Sequence, residues 1–244
     1  MQTNGSGPLT VLELRELVKH YPVAGSEPVR AVDGVSMRVD AGELVALYGP
    51  SGSGKTTLLS LIAALQTPDS GDLLVDGRDI SKLSDVDASH YRLQELGYID
   101  QSLTLLPGGS VIQNAALKLW ISIGVHEGSR RIEPLLIRLG LQARLTHRAA
   151  SLSMGERQRV MIARALSTEP KLVLADEPTG NLDTQRSHEV LELLSETCRE
   201  HGTAVLLVTH DPQATLFADR VHVLSDGRIE TFDPDTVFMP LLKR

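Results

Sequence analysis

The chain has 244 residues, of which 41% are hydrophobic and only 3% are aromatic, and its formal net charge is −7. It can bury an aliphatic core, whereas its acidity and its few aromatic rings argue against a general nucleic-acid binder. The single cysteine, Cys198, excludes a disulfide framework and a zinc site built on cysteines, and its helical spacing from Leu194 and Val190 predicts a place in the core.

The first elements follow from the pattern of apolar residues. Residues 35–40 alternate between apolar and polar side chains and predict a half-exposed strand, whereas residues 44–48 predict a fully buried one. Residues 58–65 are apolar at helical spacing. Hairpin turns are predicted at the two Asp-Gly pairs, Asp76-Gly77 and Asp226-Gly227.

The second half of the chain predicts an α/β core interrupted by helices. Residues 85–168 show helical patterns and few strands. An apolar strand at 172–175, a helix at 184–201 closed by Gly202, and a second apolar strand at 204–209 then follow. Apolar strands that alternate with helices predict a mostly parallel sheet covered on both faces.

The sequence predicts a soluble chain. No apolar run approaches the ~20 residues that a membrane-spanning helix needs, and the first ten residues lack the apolar region of a signal peptide. Any role at a membrane would therefore require a partner that supplies the spans.

Residues 49–56 carry the first chemical motif, because they satisfy the pattern G-x-x-x-x-G-K-[ST]. The glycines let backbone N–H groups point at phosphate oxygens, and the following helix offers its positive end. Lys55 would reach the terminal phosphates and Thr56 would bind Mg²⁺. A dinucleotide-binding loop is disfavoured because the third glycine of that pattern is missing. The candidate phosphate-binding residues are Gly49, Pro50, Ser51, Gly52, Ser53, Gly54, Lys55, Thr56 and Thr57.

Two adjacent acids, Asp176 and Glu177, follow the apolar strand at 172–175. Desolvated neighbouring carboxylates repel each other unless a cation or a reaction occupies the site. Beside a phosphate loop, Asp176 would hold Mg²⁺, usually through its water, and Glu177 would accept a proton from the water that attacks the γ-phosphate. The alternative is that Asp176, Glu177 and Pro178 only cap a following helix.

With these two motifs, residues 10–230 resemble the ATP-binding-cassette ATPases. The resemblance implies a single cassette over 1–244 with the P-loop NTPase, RecA-like fold: an α/β core at 9–84 and 169–244 that includes an N-terminal antiparallel β region. It also implies an inserted helical subdomain at 85–168. ATP and Mg²⁺ would be the cofactors, and ATP hydrolysis would be the reaction.

The resemblance assigns further residues to the nucleotide site. Gln101 lies where the family has a glutamine that senses metal and water, and His210 matches the switch histidine that contacts the γ-phosphate. Asp183 matches the loop that couples two sites across a dimer. Tyr21 resembles the aromatic residue that stacks on adenine, although a packing role remains open for it.

The family signature departs from its usual form here. Most members carry Leu-Ser-Gly-Gly-Gln, whereas this chain has Leu152-Ser153-Met154-Gly155-Glu156. Ser153 followed three residues later by Glu156 predicts a capping box, and the resemblance implies that Ser153, Gly155 and Glu156 meet ATP bound on the opposite subunit. If the position of Met154 required a positive φ, its side chain would cost of order 1 kcal/mol or more.

The resemblance favours the nucleotide-binding subunit of an ABC transporter, closest to the lipoprotein-releasing, macrolide-exporting and cell-division ATPases. Two copies would bind head to tail around two ATP-Mg²⁺ and drive a membrane permease, with no nucleic-acid partner, from the cytoplasmic, inner face of the cell membrane. The alternatives are a soluble mechanoenzyme or assembly ATPase without a permease, and a non-hydrolysing regulator, which Glu177 and His210 argue against. Trp120 would line the permease-docking groove or pack in the core.

Overall fold

The computed structural model describes residues 9–100, 102, 104–180 and 182–230. Its strands are β1 (Thr10–Tyr21), β2 (Val29–Asp40), β3 (Leu44–Tyr48), β4 (Ser70–Val75), β5 (Arg78–Asp79), β6 (Leu96–Ile99), β7 (Leu172–Asp176), β8 (Ala204–Thr209), β9 (Arg220–Ser225) and β10 (Arg228–Glu230). Its α-helices are α1 (Lys55–Ile62), α2 (Asp85–His90), α3 (Val111–Ala115), α4 (Leu117–Ile123), α5 (Val125–Arg138), α6 (Met154–Leu166) and α7 (Thr184–His201).

The strands form two sheets, as the fold prediction required. An antiparallel sheet has the order β2-β1-β4-β5, and a six-stranded sheet has the order β10-β9-β3-β8-β7-β6. In the larger sheet β6, β7, β8, β3 and β9 run parallel to one another, and only β10 is antiparallel to its neighbour. The predicted class, a mostly parallel core sheet beside an N-terminal antiparallel region, is confirmed.

The central strands β3, β7 and β8 of the core sheet are buried on both faces, which explains their unbroken apolar sequences. Alternate side chains of β7 enter different cores: Leu172 and Leu174 pack with α1 and the antiparallel sheet, whereas Val173 and Ala175 pack with the helices on the opposite face. Cys198 of α7 joins this second core and is 1% exposed, as predicted. Burial raises the pKa of its thiol to about 12.

The predicted local structures of the core are present. Along β2, Val35 and Met37 are buried while Ser36 and Arg38 are exposed. The two Asp-Gly turns have positive φ at both residues, the conformation typical of a tight hairpin. Helix α7 ends at His201 and is capped by Gly202, whose φ is 67° and whose N–H donates to the carbonyl oxygen of Cys198.

The range predicted as helical, 85–168, also contains a strand of the core sheet. β6 pairs in parallel with β7 from Leu96 opposite Leu172 onward, so the sheet passes through this range before α3 begins. Trp120 of α4 is half-buried against the second core and donates its indole N–H to Ser129 Oγ at 3.1 Å. Within the described ranges, no helix combines the length and apolarity needed to cross a bilayer.

Candidate active site

The phosphate loop connects β3 to α1, as predicted. Gly54 precedes the helix with φ 104°, and a Cβ at this position would lie 1.9 Å from the carbonyl oxygen of Ala31. A Cβ at Gly49 would lie 2.3 Å from the carbonyl oxygen of Leu224. Both glycines are therefore required by the close approach of neighbouring backbone, beyond the needs of the turn itself.

Lys55 is folded back over this loop. Its Nζ donates to the carbonyl oxygens of Gly49 at 2.6 Å and Pro50 at 2.8 Å. Burial lowers the pKa of Lys55, whereas the nearby carboxyl groups of Glu177 and Asp176 act to raise it. The ammonium group thus lies at the centre of the loop with two acids near it.

Asp176 is the last residue of β7 and is only 3% exposed. Burial, and then repulsion from Glu177 and Asp100, raises its pKa to about 6, although Lys55 and a hydrogen bond from Thr56 oppose the shift. A carboxyl group that is this strongly desolvated and crowded by acids is suited to a bound cation.

Glu177 is held in an unusual conformation directly after β7. Its φ is 48°, and its N–H donates to the carbonyl oxygen of Val208 at 3.0 Å. A non-glycine residue in this region costs of order 1–3 kcal/mol and is found chiefly where a site demands it. The turn directs the carboxylate toward the end of β8, where His210 Nδ1 lies 2.6 Å from Glu177 Oε1. Thr209 Oγ1 donates to Oε2 of the same carboxylate at 3.3 Å.

The alternative reading of the two acids is not supported. Helix α7 is capped by Asp183, whose side chain accepts a hydrogen bond from the N–H of Arg186 at 2.9 Å. Asp176, Glu177 and Pro178 therefore do not cap it.

A cavity of about 690 Å³ brings most of the predicted residues together. This is a typical size for a small-molecule site. The predicted residues that line it are Tyr21, Ser51, Gly52, Gly54, Lys55, Thr56, Thr57, Asp176, Glu177 and His210. Gly49, Pro50 and Ser53 do not line it but shape the loop, and the carbonyl oxygen of Ser53 accepts the N–H of Gly227 at 3.1 Å.

Sequence reasoning missed one wall of this cavity. The wall consists of Val29, Arg30 and Ala31 at the start of β2, and of Asp226 and Gly227 in the β9–β10 turn. The Asp-Gly pair identified the turn. Nothing local indicated that a turn more than 170 residues downstream would lie against the phosphate loop, since only the sheet order places it there.

The signature residues lie at the start of α6 and do not line the cavity of their own chain. The predicted capping box is present: Ser153 Oγ accepts the N–H of Glu156 at 3.3 Å, and Glu156 Oε2 accepts the N–H of Ser153 at 2.8 Å. Arg144 Nε also donates to Glu156 Oε1 at 2.8 Å. Gly155 follows Met154 in the first turn of the helix. Gln101, predicted to bind metal and ATP, lies outside the described residues.

The strain considered for Met154 is absent. Met154 is the first residue of α6 and is not among the described residues with positive φ, so its backbone is helical and tolerates a side chain. The side chain is 52% exposed. The condition for a conformational penalty at this position, a positive φ, is therefore not met.

Comparison with known proteins identifies the family. The family model for "ABC transporter" matches residues 32–180. The chain is 42% identical to "Lipoprotein-releasing system ATP-binding protein LolD 2" of Chlorobaculum tepidum, over 90% of this chain and 92% of that protein. It is 41% identical to "Macrolide export ATP-binding/permease protein MacB" of Rhodopirellula baltica, over 90% of this chain and 32% of that protein.

Solved structures agree. A dimeric structure of MJ0796, "a Bacterial ABC Transporter Cassette", superposes with a TM-score of 0.85 and 33% identity, over 90% of this chain and 97% of that one. A post-hydrolysis structure of the same cassette, bound to ADP and Pi, superposes equally well. The branch suggested by the sequence is confirmed: the chain belongs to the ABC transporter family and is an ATP-hydrolysing cassette similar to those of the lipoprotein-releasing and macrolide-exporting systems.

Proposed function

We propose that this chain works as one of two identical nucleotide-binding subunits that bind ATP-Mg²⁺ between them and drive a membrane permease. The observation that carries the proposal is the convergence of Lys55, Asp176, Glu177 and His210 on one cavity beside the phosphate loop. Phosphoryl transfer depends mainly on positioning and on neutralising charge, and these four side chains supply both.

ATP would lie along the cavity from Tyr21 to the phosphate loop. The backbone of residues 51–57 would hold the phosphates against the start of α1, and Tyr21 would stack on the adenine. Lys55 would leave the two loop carbonyl oxygens and bind the terminal phosphates, a stronger, charged acceptor.

The residues of the site fit Mg²⁺. Thr56 and Asp176 are adjacent oxygen donors, and Gln101 would be a third. Among the described residues, no group of three or more His, Cys, Asp or Glu is placed to hold a metal ion. The oxygen donors Thr56, Asp176 and Gln101 fit Mg²⁺, because this ion commonly uses one or two carboxylates together with phosphate oxygens and water. Its chemical contribution would be to neutralise the phosphate charge.

Glu177 would act as the general base toward the attacking water. Its carboxylate is directed by the strained turn and contacts His210 and Thr209, so its position is fixed before the reaction. His210 would contact the γ-phosphate, which makes the Glu177–His210 pair the part of the site that responds to the nucleotide.

The second subunit completes the site. Ser153, Gly155 and Glu156 do not line the cavity of their own chain, so we infer that they serve the cavity of the partner copy in a head-to-tail dimer. Asp183, at the start of α7, would couple the two sites. The dimeric MJ0796 cassette supports this arrangement.

The permease would bind at a groove of about 500 Å³ between β6, α4 and α6. Its wall combines the apolar side chains of Leu93 and Ile121 with the basic side chains of Lys118 and Arg164. Lys118 Nζ donates to the carbonyl oxygens of Arg92 and Leu96, at 3.1 and 2.6 Å. Arg92 is a third basic lining residue and Asp100 is an acidic one, so the groove is basic overall and suits an acidic partner. An amphipathic permease segment with an acidic residue matches this surface, and it would hold the cassette at the inner face of the membrane. Trp120 packs below this region, which agrees with its core interpretation.

The first experiment separates binding from hydrolysis. Glu177→Gln should retain ATP affinity while lowering turnover by about 10²–10⁴-fold, the usual contribution of a general base. With Mg-ATP the variant should also accumulate as a dimer, because the dimer reopens only after hydrolysis. Light scattering measures this accumulation. Glu192→Gln, an exposed change on α7, is the control. Unchanged turnover in Glu177→Gln would refute the assigned base.

The second experiment tests the membrane partner. Affinity purification of the tagged chain from detergent-solubilised membranes should recover a polytopic permease, and Ile121→Asp should abolish recovery without lowering the basal ATPase rate. Val23→Asp, which changes another exposed apolar side chain, should leave recovery intact. Equal recovery with Ile121→Asp and wild type would place the permease elsewhere, and no membrane protein in either would favour a soluble ATPase.

A further inference from the structure

The end of β1 that lines the nucleotide cavity is held by the segment that follows α1. Tyr21 is the last residue of β1, and its hydroxyl donates to Gln66 Oε1 at 2.5 Å. Gln66 is exposed and lies between α1 and β4. The backbone of β1 holds only the Cα end of Tyr21, and this hydrogen bond holds the hydroxyl end of its ring.

The same segment holds the residues before Tyr21. Lys19 Nζ lies 5.8 Å from the centroid of the Tyr21 ring and 2.8 Å from Asp69 Oδ1. Asp69 Oδ2 accepts the N–H of His20 at 2.7 Å, and the N–H of Asp69 donates to the carbonyl oxygen of Val18 at 2.8 Å. Asp69 therefore fixes the backbone of β1 while Lys19 covers the ring.

Helix α1 connects this attachment to the phosphate loop. The helix begins at Lys55, directly after the loop, and ends at Ile62, with the residues of its inner face fully buried. Eight helical residues span about 12 Å. Gln66 follows the end of the helix, and its N–H donates to the carbonyl oxygen of Ser60 in α1 at 3.3 Å. The ring of Tyr21 and the phosphate loop are thus connected through the two ends of the same helix.

We propose that Gln66 is a positioning residue for the nucleotide base: by holding the Tyr21 hydroxyl, it fixes the stacking ring at a set distance from the phosphate loop. The inference rests on the stacking role given to Tyr21 in the proposed function. Gln66 acts through Tyr21 and is not among the residues that line the cavity, so its loss should affect binding of the base and spare binding of the phosphate tail. Pre-organised aromatic surfaces bind more tightly because less rotational freedom is lost on binding.

The test compares two ligands in the full-length chain. Gln66→Leu, which keeps the volume and removes the acceptor, should weaken ATP binding by about 3- to 10-fold, the range expected for one hydrogen bond. Calorimetry should show that the affinity for inorganic tripolyphosphate is unchanged. KM for ATP should rise with kcat unaltered. Gln66→Glu retains an acceptor for the hydroxyl and should bind ATP as tightly as the wild type.

Two Tyr21 variants distinguish the possible failures. Tyr21→Phe should lose the same affinity as Gln66→Leu, and the double variant should lose no more, because both changes remove one interaction. If Tyr21→Ala weakens ATP binding but Gln66→Leu does not, the positioning role is wrong and stacking stands. If Tyr21→Ala has no effect, stacking and the positioning role both fail, whereas hydrolysis by Glu177 is untouched. Equal loss of ATP and tripolyphosphate affinity in Gln66→Leu would also overturn the inference.

Discussion

Replacing Gly54 by alanine tests whether the phosphate loop is fixed by its contact with β2. The new Cβ would lie 1.9 Å from the carbonyl oxygen of Ala31, far inside van der Waals contact, which for heavy atoms lies near about 3.5 Å. Gly54 also has φ 104°, a conformation that costs an L-residue roughly 1–2 kcal/mol. Either β2 or the loop must move to make room.

The magnitude follows from these two contributions. Overpacking of a rigid site adds about 1–3 kcal/mol, so we expect Gly54→Ala to lower the free energy of unfolding by about 2–5 kcal/mol. For a chain of this size, each kcal/mol lowers Tm by about 2–4 °C. The expected decrease is therefore roughly 4–20 °C, measured by circular dichroism without nucleotide. ATP binding should be lost as well, because Lys55 and Thr56 directly follow the displaced residue.

Gly52→Ala is the matched control. Gly52 lies in the same loop with φ 84°, but a Cβ there has no atom within 4 Å. Gly52→Ala should therefore lower the free energy of unfolding only by the backbone contribution, about 1–2 kcal/mol. The reasoning is refuted if the two variants lose equal stability, since the contact with Ala31 would then contribute nothing.

Two further predictions concern Asp176 and Met154. Because the pKa of Asp176 is raised to about 6, the ionised group is destabilising above that pH, by an amount on the order of 2–3 kcal/mol for a shift of this size. Asp176→Asn should therefore raise Tm at pH 8. The gain in Tm should disappear as the pH falls through 6 toward 4, because the wild-type carboxyl group is then neutral. A gain in Tm that is independent of pH would contradict the assigned cause. Met154→Gly should not raise the ATPase rate, since no strain is relieved, and should lower stability by about 0.5–1 kcal/mol through the greater freedom of glycine; faster turnover in a steady-state assay would show that the side chain obstructs the site.

The parts of the fold that the sequence predicted are those encoded locally. The unbroken apolar runs at 44–48, 172–175 and 204–209 mark strands buried on both faces, and Gly202 marks the end of α7 through its left-handed conformation. β6 was not predicted, because four residues that include a glycine give little periodicity and the strand is recognisable only from its pairing with β7.

The residues of the site also divide into those predicted from local sequence and those that local sequence does not reveal. The phosphate loop and the two acids follow from spacing and from the cost of buried charge, whereas His210 and Tyr21 were assigned through the family resemblance. The parallel register explains why Glu177 and His210 meet: β7 and β8 are adjacent, and both side chains follow the carboxyl ends of their strands. Arg30 and Asp226 carried no local motif, and only the order of the strands brings them to the cavity.

The positions of these elements in the fold also explain why one copy of the chain supplies only part of the proposed ATP-binding site. The carboxyl ends of β3, β7 and β8 carry the phosphate loop, the acids and His210, whereas the capping box starts a helix whose first residues lie outside that cavity. Met154 and Gly155 occupy the first helical positions, where N–H groups have no intrahelical acceptor and attract an anion. The carboxylate of Glu156 would repel that anion, but Arg144 forms an ion pair with Glu156 at 2.8 Å and offsets the charge of the carboxylate. In the proposed head-to-tail dimer, a phosphate brought by a second copy would satisfy these N–H groups, so ATP would be bound between two chains.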